Sequence, residues 1–174
     1  MLISLMEKTS TAFGEAIIEN SEEVIKNILE ILAKNQCFGQ ILSSRAIVSE
    51  RHLLQAIEQT ESAFANGTSF AKRKEMELLL RISGKKQFPK AIEMLGIGKG
   101  NQRIALIAVG ENSEKAIAEM KKFLKFKKKK LKPSFKSLQK LFEIPEKELG
   151  ILKDRKKALE NAVLEKIALI ALED

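Results

Sequence analysis

Between Leu78 and Gly96 the chain reads Leu-Leu-Leu-Arg-Ile-Ser-Gly-Lys-Lys-Gln-Phe-Pro-Lys-Ala-Ile-Glu-Met-Leu-Gly, and its glycines and proline leave little choice of local structure. Met76, Leu79, Leu80 and Ser83 recur at three- and four-residue spacing, which predicts a helix face, and Gly84 supplies the positive φ that ends such a helix. Pro89 suits the first turn of a second helix, where its missing N–H costs nothing. Gly96 is placed to stop that helix after Ala91, Ile92 and Leu95. Arg81, Lys85 and Lys86 then cluster at the corner. A helix N-terminus beside three cations can hold phosphate, so the segment reads as a binding corner rather than a catalytic centre.

Elsewhere strand and helix patterns alternate without a repeat. Leu2 to Met6 suggests an opening strand. Ser21 is the expected N-cap of a helix with Glu22 and Glu23 in its first turn and a stripe of Val24, Ile25, Ile28, Leu29 and Leu32, ending near Asn35. Phe38 to Val48 reads as a strand, followed by a helix capped by Ser49 and running through His52, Leu53, Ala56 and Ile57; Ala63 to Ser69, with Asn66-Gly67, reads as a loop. Ile104 to Val109, between Gly100 and Gly110, is a strongly apolar strand. Ser113 opens a helix through Ile117, Met120 and Leu124, and Pro133 and Pro145 mark later breaks. The expected fold class is α+β, with helices packed on a small, largely antiparallel sheet.

With 174 residues, 44% of them hydrophobic, the chain can bury one good core, and a single domain over 1–174 is expected. Leu2 to Met6 is too short for a signal peptide, and no run approaches the roughly 20 apolar residues of a membrane span, so no membrane and a cytoplasmic location are expected. The single Cys37 fits a reducing compartment and a small buried side chain; with the lone His52 it cannot assemble a zinc site of the usual Cys/His kind. No metal and no cofactor are called for. No Ser or Cys nucleophile sits in a motif such as Gly-x-Ser-x-Gly, and His52 lies on an expected helix between Arg51 and Leu53. Gly96-Ile-Gly-Lys-Gly100 imitates a phosphate loop, yet it precedes a strand where such a loop must follow one, and reads as a helix stop. A non-catalytic binding protein is the better reading; an enzyme of unrecognised type would need a concave site with paired acids.

The net charge of +8 is a local property. Of 31 lysines and arginines, ten lysines fall between Met120 and Phe142 with no acid among them, so the rest of the chain is close to neutral against its 23 anions. Such a tract favours a polyanion, because each neutralised phosphate releases condensed counterions; RNA, DNA and an anionic membrane all qualify, and a merely solvated face is the plain alternative. Phe123, Phe126 and Phe135 interleave the lysines. Their spacing suits inward-facing core positions better than base stacking.

At the carboxyl end, Ile167 to Leu172 is apolar without a break, so a helix there would be hydrophobic on every face. A partner protein is the economical cover for the face the core cannot use, and self-association of the isolated chain through this helix would satisfy the same residues. Burial within the monomer is the alternative.

Ser69-Phe70, the helix ending Leu80-Arg81-Ile82-Ser83-Gly84, the following Lys86-Gln87, then Ala91-Ile92 and Leu95-Gly96, together with Val163 to Ile170, resemble the small kinase-binding subunit of the KEOPS complex, the PRPK-binding protein family. Gln40 to Ser43 and His52 to Ile57 extend the likeness more loosely. The resemblance implies a helix-covered antiparallel sheet, no enzymatic activity, and docking on the small atypical kinase/ATPase subunit, for which Leu164, Ile167, Ala168, Ile170 and Ala171 match the closing helix. It also implies recruitment of tRNA through the single-stranded 3′ CCA end, in support of threonylcarbamoylation of the adenosine next to the anticodon. Arg81, Ser83, Gly84, Lys86 and Gln87 match the motif for that contact; Lys85 departs from the polar residue often found there, trading an amide for phosphate attraction. The lysine-rich 120–142 region departs from the family's usual composition. A stand-alone basic RNA-binding module using Lys121 to Lys132 is the competing reading.

Overall fold

Alternation along Thr9–Ile18 sends Ala12, Gly14, Ala16 and Ile18 to one side, and in the computed structural model, which describes residues 8–150 and 153–172, this segment is the long strand β1. The expected strand at Leu2–Met6 lies outside the described residues. The chain divides into two compact units. One combines the chain up to Ser44 with Gly96–Leu131; the other combines Arg45–Leu95 with the chain from Lys132 onward.

The first unit holds β1, β2 (Phe38–Ser43), β3 (Gly100–Val109) and β4 (Lys127–Lys128) in one antiparallel sheet of order β2-β3-β1-β4. Thr9 faces Val109 at one end of the central pair and Ile18 faces Gly100 at the other. Helices α1 (Ser21–Lys34) and α5 (Ser113–Phe123), the latter numbered by its place in the chain, lay their apolar stripes on one face of the sheet. Ile28 and Leu32 of α1 and Ala116, Ile117 and Met120 of α5 meet Ala12, Ile41, Ile104, Leu106 and Ala108 in a closed core. Each fully buried Ile or Leu there contributes about 1.5–3 kcal/mol.

The second unit is helical: α2 (Glu50–Asn66), α3 (Lys74–Ser83), α4 (Phe88–Leu95), α6 (Phe135–Leu141), α7 (Glu146–Leu149) and α8 (Arg155–Leu169). α2 packs on α3 and α8, and α6 and α7 both pack on α8. The fold is thus α+β, with helices on a small sheet that is antiparallel throughout.

Several local expectations are corrected. Asn20, not Ser21, caps α1, because its side chain accepts from the Glu23 N–H at 3.2 Å. The strand expected to reach Val48 stops at Ser43: Ser44–Ala46 forms a 3-10 turn, and the Val48 N–H donates to His52 Nδ1 at 3.3 Å, committing this stretch to the start of α2 instead of a ladder. Ser49 caps α2 as expected, but the helix continues to Asn66, and Gly67 at φ 67° is its left-handed stop, not the middle of a loop. Among the interleaved phenylalanines, Phe126 packs partly on the sheet core, Phe123 is 43% exposed, and Phe135 is half-buried under Arg155. Cys37 is also only half-buried, with its thiol pushed up by burial.

Candidate functional site

The corner between α3 and α4 is built within the helical unit. α3 ends in a Schellman turn: Gly84 takes φ 64°, its N–H bonds the Arg81 carbonyl at 3.4 Å, and the Lys85 N–H bonds the Leu80 carbonyl at 3.3 Å. Ser83 is 1% exposed and locks the same turn, donating to the Leu80 carbonyl at 3.0 Å and accepting from the Lys85 N–H at 3.1 Å. α4 then begins at Phe88 with Pro89 in its first turn, and the Gln87 carbonyl accepts from the Ala91 N–H at 3.1 Å. Phe88 packs beside Ala71, Leu80 and Ala91.

The helix face differs from the one expected. Leu80 and Ser83 of the expected face are buried, but Met76 and Ile92 are exposed, and Leu78, Ile82 and Met94 are buried with them instead. Arg81 differs most. Only 2% exposed, it pairs with the fully buried Glu77 one turn earlier, Nε to Oε1 at 2.8 Å and a terminal nitrogen to Oε1 at 2.6 Å. The other Glu77 oxygen accepts the Ala71 N–H at 2.8 Å, so the pair ties the segment before α3 to the helix. Arg81 is therefore a structural cation of the corner and does not offer its charge at the surface. Glu77 stands four residues before Arg81, a spacing at which such pairs meet on a helix, but nothing local in the sequence marks the pair as buried.

The outward residues are Lys86 and Gln87, with Phe70 beside them. Phe70 is 41% exposed, lies 4.7 Å from the Arg81 guanidinium carbon, and has the Lys86 ammonium 5.4 Å from its ring centre. Lys85 is mostly covered and reaches Glu143, just beyond α6, at 3.2 Å. The hydrogen bond from Lys85, ahead of the charges of Lys85 and Lys166, holds the Glu143 carboxyl below its usual range. No sequence signal marks that partner, 58 residues away. Beside Lys85 opens a cleft of about 650 Å³ lined by Arg45, Lys90, Met94, Lys140 and Glu143. Arg45 is committed to the α4 end, donating to the Met94 carbonyl at 3.1 Å and to that of Glu93.

His52 is no acid–base candidate. It is fully buried, accepts the Val48 N–H on Nδ1, donates from Nε2 to the Ile82 carbonyl at 2.9 Å, and packs edge-on against Phe142. Burial pushes its pKa down to about 4, outweighing the Ile82 carbonyl and Glu160, so it stays neutral at physiological pH.

On α8 and in the turn after it, Leu164, Ile167 and Ile170 are at most 5% exposed and belong to the core of the helical unit, whereas Ala168 and Ala171 face outward. Leu169 (45% exposed) and Leu172 (77%) join these two alanines. The helix is not exposed on an all-round apolar surface: it ends at Leu169, and the following turn folds Ile170 back inward. Nothing in the sequence singles out positions 169 and 172, because continuous apolarity gives no phase by which to tell inner from outer residues. A groove of about 570 Å³ runs along α8, bordered by Gly84, Ile144, Ala162, Lys166 and Leu169.

The α3–α4 turn thus presents a cation, an amide and an aromatic edge, and the end of α8 presents outward apolar side chains, which are the features of binding surfaces. The chain belongs to the family described as kinase binding protein CGI-121, whose model matches residues 16–171 and so runs through both units. It is 30% identical over 102 residues to the regulatory protein Cgi121 of Methanocaldococcus jannaschii, an alignment covering 56% of this chain and 66% of that protein, just under two thirds of the relative's length.

Proposed function

We propose that this chain is a non-catalytic regulatory subunit that docks on the small atypical kinase/ATPase of the KEOPS complex and recruits tRNA by its 3′ CCA end, supporting threonylcarbamoylation of the adenosine next to the anticodon. Membership of a kinase-binding family supports the docking half. One observation carries the RNA half: Lys86 and Gln87 stand outward beside the half-exposed ring of Phe70, on a turn held by Ser83, Gly84 and the buried Glu77–Arg81 pair. A single-stranded end offers phosphates to the cation and base faces and edges to the ring and amide. Gln87 and Lys86 make the contact in this reading, Lys85 stays paired with Glu143 beside them, and Arg81 holds the turn in place. The kinase contacts Ala168, Leu169, Ala171 and Leu172, while Leu164, Ile167 and Ile170 hold α8 against its own unit.

The test is binding to one full-length tRNA and to the same tRNA lacking its 3′ CCA, at two salt concentrations. Weaker binding after trimming supports 3′-end capture; equal binding to both rejects it. Pull-down of the kinase by wild type and by Leu169→Glu tests the docking surface.

A further inference from the structure

Neither kinase docking nor 3′-end capture uses the lysines of the sheet unit. Lys121, Lys122, Lys125, Lys127, Lys128, Lys129 and Lys130 occupy the end of α5, β4 and the segment after it, and all but Lys121 are exposed. Among the described residues one carboxylate meets them: Glu15 lies 3.6 Å from Lys129. The other exposed lysines of this segment face no carboxylate within ion-pair distance among the described residues.

The segment is seated, not loose. Lys125 adopts φ 48°, and the Phe126 N–H returns to the Lys121 carbonyl at 3.0 Å, which turns the chain out of α5. Phe126 packs on the sheet core, Lys128 pairs with Gly14 and Lys127 with Glu15, and the Lys129 N–H bonds the Phe13 carbonyl at 3.0 Å. Gly14 makes this approach possible, since a Cβ there would overlap the Lys127 carbonyl oxygen and the Phe126 ring. The lysines thus project from a fixed ribbon at the sheet edge. A lysine or two suffices to protect an edge from pairing; a longer run of like charge works against the fold through self-repulsion, which calls for an external anion.

We propose that this ribbon is a contact surface for the sugar–phosphate backbone of RNA that acts independently of the 3′ end. It rests on the reading above only in taking RNA as the ligand. An anionic membrane is the poorer fit: an interfacial segment needs a continuous apolar face to insert, and Ala116, Ile117, Met120 and Phe126 pack on the core, leaving outside only Phe123 and, on the neighbouring β1, Ile17 among the large apolar side chains described in this unit.

The test combines Lys125→Gln, Lys127→Gln, Lys128→Gln and Lys130→Gln and measures binding to full-length tRNA, CCA-trimmed tRNA and phosphatidylserine vesicles over a salt series, with thermal melting alongside. The plot of log affinity against log salt should become shallower by about 3, and affinity at low salt should fall on the order of tenfold or more for both RNAs. The melting temperature should stay level or rise, because the variant relieves repulsion. An unchanged slope overturns the proposal, as does loss of binding only to phosphatidylserine vesicles. If trimming weakens wild type and variant equally and the slopes match, the ribbon proposal falls and 3′-end capture stands. If the variant loses slope while trimming has no effect, the ribbon stands and 3′-end capture falls. If wild type binds neither RNA at low salt, both fall.

Discussion

Glu77 and Arg81 stand one helical turn apart, 0% and 2% exposed, and share an ion pair of 2.6 Å. Both Glu77 oxygens are occupied, one by Arg81 and one by the Ala71 N–H, and Phe70 lies against the guanidinium. Such a pair costs desolvation to bury, and breaking it costs more, because the remaining charge has no solvent to turn to.

Arg81→Ala should therefore destabilise the protein by about 3–5 kcal/mol. Replacing Glu77 and Arg81 together by Met should recover most of that loss. Urea denaturation of both variants checks this. An Arg81 variant of wild-type stability that lost only RNA binding would return this residue to the contact surface.

His52 makes stability depend on pH with a definite sign. Its pKa is lowered from 6.5 to about 4 in the folded protein by burial, so between those values the unfolded chain binds the proton and the folded one does not. Stability attributable to His52 is thus complete above about pH 6.5 and is lost as pH falls toward 4, in total about 3 kcal/mol. Denaturation at pH 7, 5.5 and 4 should show a steeper acid loss in wild type than in His52→Leu. Parallel curves would contradict the buried neutral imidazole.

The two sides of α8 should answer differently to substitution. Ile167 is fully buried, and Ile167→Ala should cost about 2–5 kcal/mol. Leu169 is 45% exposed; Leu169→Glu should leave stability within about 0.5 kcal/mol and weaken capture of the kinase. Melting and pull-down on the same preparations separate the two effects.

Gly84 and Gly14 are needed for different reasons. At Gly84 the nearest atom to an added Cβ is Ile167 Cγ2 at 3.5 Å, so space is adequate and the left-handed φ of 64° sets the cost of Gly84→Ala at about 1–2 kcal/mol. Gly84→Asn should cost less. Gly14→Ala meets backbone and an aromatic ring, should cost about 1–3 kcal/mol, and should loosen β4. Amide hydrogen exchange at Lys127 to Lys129 would report that loosening.

Much of the architecture was legible because it is written locally. Period-3.6 stripes marked α1 and α5, Ser49 marked the start of α2, and Gly84 and Pro89 marked the corner, each through a conformational preference of its own residue. Where a residue type suits two outcomes, local chemistry does not choose between them: Asn20 and Ser21 are both good caps, and the apolar run toward Val48 serves a strand or a helix entry equally.

The sequence by itself determined the α+β class, the position of the basic corner, the concentration of lysines and the family. Only the tertiary structure decided that Arg81 is internal and Lys86 external, that Leu164, Ile167 and Ile170 face the core while Leu169 faces out, and that Lys85 is held by Glu143. Helix period and turn chemistry act over three or four residues and are carried by residue type. Burial depends instead on which distant elements pack against a given side, and neither charge nor apolarity alone encodes that choice.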